Sequence, residues 1–104
     1  MDEADYLPVA PSNAVGDEQA VALRVAGRQV LLVRSLGVLH AIENLCPHAG
    51  QPLEGGRVRR GWIACSFHGA RFDLGSGAPL GPLPTSPLCR FLVREIDGTI
   101  EVAV

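Results

Sequence analysis

The sequence predicts an all-β protein, an antiparallel, sandwich-like base of short strands interrupted by a small loop-rich subdomain. Three observations lead there. Apolar and polar residues alternate with a period of two in several segments, the signature of half-buried strands. Asp97-Gly98, a strong type I′ hairpin signal, joins two of those segments. Eight of the twelve glycines and six of the eight prolines fall between residues 44 and 87, too densely for long regular elements there.

The elements follow in order. Residues 1–18 are acidic and contain Pro8 and Pro11, so they predict one short strand near Tyr6–Ala10 and then an irregular link. Ala20–Ala26 places Val21, Leu23 and Val25 on one side, as in a half-buried strand. Gly27 turns the chain into Arg28–Ser35, whose run Val30-Leu31-Leu32-Val33 predicts a strand covered on both faces. Gly37 marks the next turn, and Val38–Glu43 completes a β-meander. Short strands fit at Arg57–Val58, Trp62–Ala64 and Arg71–Leu74. Phe91–Ile96 and Thr99–Val104 alternate on either side of Asp97-Gly98. No segment shows helical periodicity beyond a turn.

A chain of 104 residues makes one domain, with a base at about 1–43 and 85–104 and an insertion at about 44–84. Hydrophobic residues make up 47% and charged ones 19%, a globular balance. There is no apolar run near membrane-spanning length, and the acidic start is the opposite of a signal peptide's basic n-region. A cytoplasmic protein with no membrane partner is the expectation. The net charge of −2 gives no reason to expect nucleic acid. Its distribution is uneven. Arg57, Arg59, Arg60 and Arg71 outweigh Glu54 and Asp73 within residues 44–84, a balance of +2, while the remainder carries −4.

The chemistry concentrates in Cys46-Pro47-His48 and Cys65-Ser66-Phe67-His68, separated by residues 49–64. Each short loop offers one thiol and one imidazole, and that donor set suits iron or zinc. Structural zinc sites more often pair cysteines within one loop. Mixed loops fit a two-iron centre better, with the two cysteines converging on one iron and the two histidines on the other. A zinc module stays open at this level. If Cys46 and Cys65 bind metal, only Cys89 remains and no intrachain disulfide forms, as suits a reducing interior. Cys89 is expected as a small packing residue, His40 as a partly exposed strand histidine, Trp62 as core or interface packing, and Arg71 as a surface arginine.

These paired loops resemble the Rieske [2Fe–2S] signature, and the chain from about Tyr6 to Val104 is similar to the small soluble Rieske-type ferredoxins. The resemblance implies a Rieske fold and a [2Fe–2S] cluster held by Cys46, His48, Cys65 and His68, with the two histidines at the protein tip. High-potential respiratory members carry an extra cysteine in each loop, and a serine and a tyrosine after the second histidine. Here those positions look like Gln51, Phe67, Ala70 and Phe72. Each departure removes a hydrogen bond or crosslink, so the potential is expected near the lower end of the roughly −150 to +300 mV spanned by such centres. Gly50 and Gly69 follow the two ligand pairs, where backbone approaches the cluster and positive φ is expected. Gly81-Pro82-Leu83-Pro84 looks like the proline-containing loop that covers the cluster in this family.

The chain has neither a flavin or dinucleotide fingerprint nor the ligand set for a mononuclear iron. The resemblance therefore implies an electron-transfer component rather than an enzyme, loaded by a flavin-dependent ferredoxin reductase and unloaded by a terminal, aromatic-ring-hydroxylating oxygenase. The alternatives are the small subunit of another redox complex, such as an assimilatory nitrite reductase, a structural zinc module, or a redox sensor.

Overall fold

Two antiparallel sheets make up the computed structural model, which describes residues 5–47, 50–66, 69–81 and 86–104. In chain order the strands are β1 (Leu7–Pro11), β2 (Gln19–Val25), β3 (Arg28–Ser35), β4 (Val38–Glu43), β5 (Arg57–Arg59), β6 (Trp62–Ala64), β7 (Arg71–Asp73), β8 (Pro79–Leu80), β9 (Arg90–Ile96) and β10 (Thr99–Ala103). A six-stranded sheet runs β1-β10-β9-β4-β3-β2, and a four-stranded sheet runs β5-β6-β7-β8. One 3₁₀ turn, Ser12–Ala14, is the sole helical element among the described residues.

Two-residue turns set the register. Val25 pairs with Arg28, Ser35 with Val38, Arg59 with Trp62 and Ile96 with Thr99, each closing a hairpin over two residues. Both central residues have positive φ in every case: Ala26 and Gly27, Leu36 and Gly37, Arg60 and Gly61, Asp97 and Gly98. This is the type I′ pattern, whose twist matches that of the strands it joins. The turn at Gly61 was not marked in the sequence, whereas Asp97-Gly98, Gly27 and Gly37 were expected. The non-glycine partners Ala26, Leu36 and Arg60 were not, because a left-handed alanine, leucine or arginine has no composition signal. Once the strands pair on either side, the turn overrides that local preference, which is worth only about 1–2 kcal/mol per residue.

The run Val30-Leu31-Leu32-Val33 is wholly buried, as a strand covered on both faces requires. Leu31 and Val33 face one core with Ile42, Val58, Ile63, Phe72 and Leu74, between the two sheets. Val30 and Leu32 face a second core with Val25, Ala41, Ile100 and Val102, within the curled six-stranded sheet. Burying each of the Val, Leu, Ile and Phe side chains contributes about 1.5–3 kcal/mol, and β3 gives two of them to each core.

Two elements were not anticipated. The pair Pro79–Leu80 adds β8 to the small sheet through Phe72↔Pro79 and Arg71↔Leu80. Residues 12–14, expected as irregular, form the 3₁₀ turn. Arg34 holds the chain there, its Nε donating to the Val15 carbonyl at 2.8 Å and its Nη2 to the Ser12 carbonyl at 3.1 Å, while it pairs with Glu95 at 2.9 Å. No helix among the described residues is long and apolar enough to cross a membrane.

Candidate metal centre

The two cysteines leave the two sheets at matching points. Cys46 lies three residues beyond the end of β4, and Cys65 directly follows β6. Each begins a turn with the same pair of backbone hydrogen bonds. The Cys46 N–H donates to the Gln51 carbonyl at 2.6 Å, and the Gly50 N–H donates to the Cys46 carbonyl at 2.7 Å. In the second turn the Cys65 N–H donates to the Ala70 carbonyl at 2.8 Å, and the Gly69 N–H to the Cys65 carbonyl at 2.9 Å. The donor and acceptor offsets are identical, four and five residues. Gly50 and Gly69 close the turns at φ 69° and 70°. Nothing lies within 4 Å of the Cβ either would carry, so the left-handed backbone, not crowding, calls for glycine. Both expected positive-φ positions are found.

Cys46 and Cys65 are buried at 0% and 1% exposure and belong to one apolar cluster with Leu53, Ala70, Phe72 and Leu74. Two sulfurs in one dry core, each at the head of a turn of the same form, are the arrangement expected of thiolates serving a shared centre. A neutral diiron centre fits such a core better than an exposed ion would. His48 and His68, expected as the imidazole ligands, lie outside the described residues, as do Phe67 and residues 82–84 of the expected proline loop.

Several side chains position these turns and were not foreseen. Asn44 is buried, and its Oδ1 accepts from the N–H of both Leu53 and Glu54 at 2.9 Å, tying the end of β4 to the chain leaving the first turn. Glu18 ties the sheets at the other end. Its carboxylate accepts from the Ser35 hydroxyl at 2.7 Å, the Leu36 N–H at 3.0 Å and the Arg60 N–H at 3.0 Å. The Ser35 hydroxyl oxygen in turn accepts from the Gly61 N–H at 2.8 Å. The Ser35 bond first, then the Leu36 bond, hold the Glu18 carboxyl below its ordinary value. An asparagine between a strand and a Cys-Pro-His turn was the one available sequence signal. Glu18 had none, because its partners are backbone groups far away in the chain.

Other expectations need revision. His40 is buried rather than partly exposed. Burial, then the Arg90 guanidinium, pushes its imidazole below the usual value against the pull of Asp73. Cys89 is exposed, not a packing residue, and its carbonyl accepts from the Glu43 N–H at 2.8 Å. Trp62 is half-buried on the outer face of the small sheet, where the Arg71 guanidinium lies 5.5 Å from its ring centre. Ala70 and Phe72 are buried beside the cysteines, and neither side chain carries a hydrogen-bond donor.

The profile of the Rieske [2Fe-2S] domain matches residues 5–96. The anthranilate 1,2-dioxygenase ferredoxin subunit of Burkholderia cepacia is 34% identical over the whole of this chain and 99% of its own length. Among solved structures, the ferredoxin of carbazole 1,9a-dioxygenase from Nocardioides aromaticivorans IC177 superposes with a TM-score of 0.87 at 31% identity, covering 94% of this chain and 96% of its own. A chain from a complex of reduced oxygenase and oxidised ferredoxin of carbazole 1,9a-dioxygenase gives 0.86 at 26% identity, covering 97% and 94%.

Proposed function

The chain belongs to the Rieske [2Fe-2S] family, and from that premise we propose that it is a one-electron carrier passing electrons from a flavin-dependent ferredoxin reductase to a terminal, aromatic-ring-hydroxylating oxygenase in the cytoplasm. A [2Fe–2S] cluster supplies the one-electron chemistry. Cys46 and Cys65 would hold one iron through their thiolates, and His48 and His68 would hold the other through ring nitrogens. Two thiolates rather than four leave the oxidised centre near neutral, so accepting an electron costs less than at an all-thiolate cluster. Residues 44–84 form the cluster-binding subdomain and the remainder the base.

The observation that carries this reading is the pair of equivalent turns that place both sulfurs in one buried core. Around it, the chain's own residues exclude water and hold geometry. Phe72, Leu53 and Leu74 surround the thiolates with apolar surface, Asn44 fixes the first turn, and the β6–β7 pairing of Ala64 with Arg71 fixes the second. Ala70 and Phe72 carry no side-chain donor where the high-potential members place a serine and a tyrosine, which supports a potential at the low end of the family's range. That range suits delivery to an oxygenase and not to a high-potential respiratory acceptor.

Metal analysis tests the centre, with two irons and two acid-labile sulfides per chain expected and a single zinc ruling it out. His48→Cys or His68→Cys should lower the midpoint potential or abolish the cluster, whereas an unchanged midpoint would refute the ligand assignment. The role is tested by reducing the protein with candidate flavin reductases and assaying turnover by an oxygenase component. Strict co-purification with one large enzyme subunit would instead favour a dedicated subunit of another complex.

A further inference from the structure

The outer face of the small sheet carries an unusual pair of arginines. Val58, Ile63 and Phe72 point into the core, so by alternation their neighbours point outward. Register then places Arg57, Ala64, Arg71 and Leu80 in one row across β5, β6, β7 and β8. Two arginines thus stand on either side of a single small side chain, their backbones two strand spacings or about 10 Å apart. Between them lies a cleft of about 450 Å³ lined by Arg57, Trp62, Ala64, Cys65, Gly69 and Arg71 among others. Ala64 is its floor, and the second cysteine turn forms one wall.

The cleft is electropositive. Among the described residues no acid lines it, and neither Arg57 nor Arg71 is paired with a carboxylate. The nearest acids by sequence are Glu54 and Asp73. Asp73 is committed elsewhere, its Oδ2 accepting from the Ser76 N–H and hydroxyl at 2.8 Å each. Arg71 is held in place by stacking on Trp62, so its planar fork does not have to be ordered on binding. The stacked Arg71 guanidinium and that of Arg57 across a shallow floor match a carboxylate, which each can grip with charge-assisted bonds.

We propose that this cleft is a docking socket for an aspartate or glutamate side chain on the protein that takes this carrier's electron, seating that partner against the Cys65 turn. The proposal rests on the carrier reading above. A carboxylate between Arg57 and Arg71 would abut the turn that begins at Cys65, so the partner would dock beside one of the two expected ligand loops. A rim charge of this kind speeds encounter and sets orientation more than it adds affinity.

The test uses the holo-protein with two probes. Poly-L-glutamate is titrated calorimetrically at low salt against wild type, Arg57→Ala/Arg71→Ala, and the charge-matched Arg24→Ala/Arg28→Ala on the base. The cleft pair should weaken binding about tenfold or more, equivalent to one lost charge-assisted bond, and the base pair by less than about twofold. Electron transfer to the oxygenase component of an anthranilate 1,2-dioxygenase system should slow about tenfold for the cleft pair, lose much of its salt dependence, and leave the midpoint potential unchanged. Equal weakening by both pairs would overturn the socket in favour of general charge. Displacement of polyglutamate by submillimolar benzoate or inorganic phosphate would overturn it in favour of a free small-anion site. A normal polyglutamate difference with no transfer from wild type would uphold the socket and refute the carrier reading.

Discussion

Asn44→Ala is the substitution that isolates the support of the first cysteine turn. Its Oδ1 accepts from two backbone donors, the buried Leu53 N–H and the part-buried Glu54 N–H, both at 2.9 Å. Alanine leaves both without a partner. An unsatisfied buried donor costs about 1–3 kcal/mol, and the more exposed one regains water at a smaller cost, so the loss comes to about 2–4 kcal/mol. With a urea slope of about 1–3 kcal/mol per molar, the midpoint should fall by roughly 1–2 M. Asn44→Asp keeps an acceptor in the same place and, by accepting two N–H bonds, gains a reason to stay ionised. It should therefore hold within about 1 kcal/mol of wild type near neutral pH. Urea titrations followed by cluster absorbance and far-UV circular dichroism give both numbers. An Asn44→Ala midpoint indistinguishable from wild type would refute the reasoning, as would an aspartate variant no better than the alanine.

Three further outcomes are expected. Gly56→Ala would drive a Cβ into the Ala64 carbonyl oxygen and to 2.9 Å from that of Leu53, both backbone atoms, so it should cost about 3 kcal/mol in thermal unfolding. The adjacent Gly55→Ala meets nothing within 4 Å and should cost only its left-handed φ, about 1–2 kcal/mol. The carboxyl of Glu18 sits below its ordinary value of 4.5, so its contribution is present above that value and lost as pH falls through the folded one. Glu18→Gln should flatten the acid limb of melting temperature against pH, and an unchanged limb would show that other carboxylates govern it. Phe72→Tyr adds a hydroxyl inside the core that holds Cys46 and Cys65 and should raise the midpoint potential measured by protein-film voltammetry.

What could be read from the sequence was what period and turn chemistry encode. The strands Arg28–Ser35, Val38–Glu43 and Trp62–Ala64 lie where alternation and turn glycines put them, because a one-residue slip would turn Leu31 or Ile42 out of the core. Gly50 and Gly69 were legible because the backbone demand falls on the one residue type that meets it freely. The 3₁₀ turn at Ser12–Ala14 and the two-residue β8 were not, being held by Arg34 and by pairing with Phe72, contacts far away in sequence. The burial of His40, the half-exposed outer-face position of Trp62 and the exposure of Cys89 escaped for the same reason. Side-chain alternation gives a face, but which face is covered depends on what packs there.

The long-range contacts also decide how the centre holds together. Among the described residues no strand of the small sheet pairs with the six-stranded one. They meet through the shared apolar core and through side-chain bonds at Asn44, Ser35, Glu18 and Arg90, whose Nε donates to the Leu74 carbonyl at 3.0 Å. Cys46 is placed by the base, since it follows β4, where Glu43 and Asn44 donate their N–H groups to the carbonyls of Cys89 and Gln29. Cys65 is placed by the small sheet, at the end of β6. The separation of the two sulfurs is thus set by the packing between sheets and not within either one. Loosening that packing must disturb the pair of thiolates before it melts either set of strands. Asn44→Ala should accordingly lose cluster absorbance at a lower urea concentration than it loses β-sheet circular dichroism. Coincident transitions would mean that the two sheets come apart only when the whole chain unfolds.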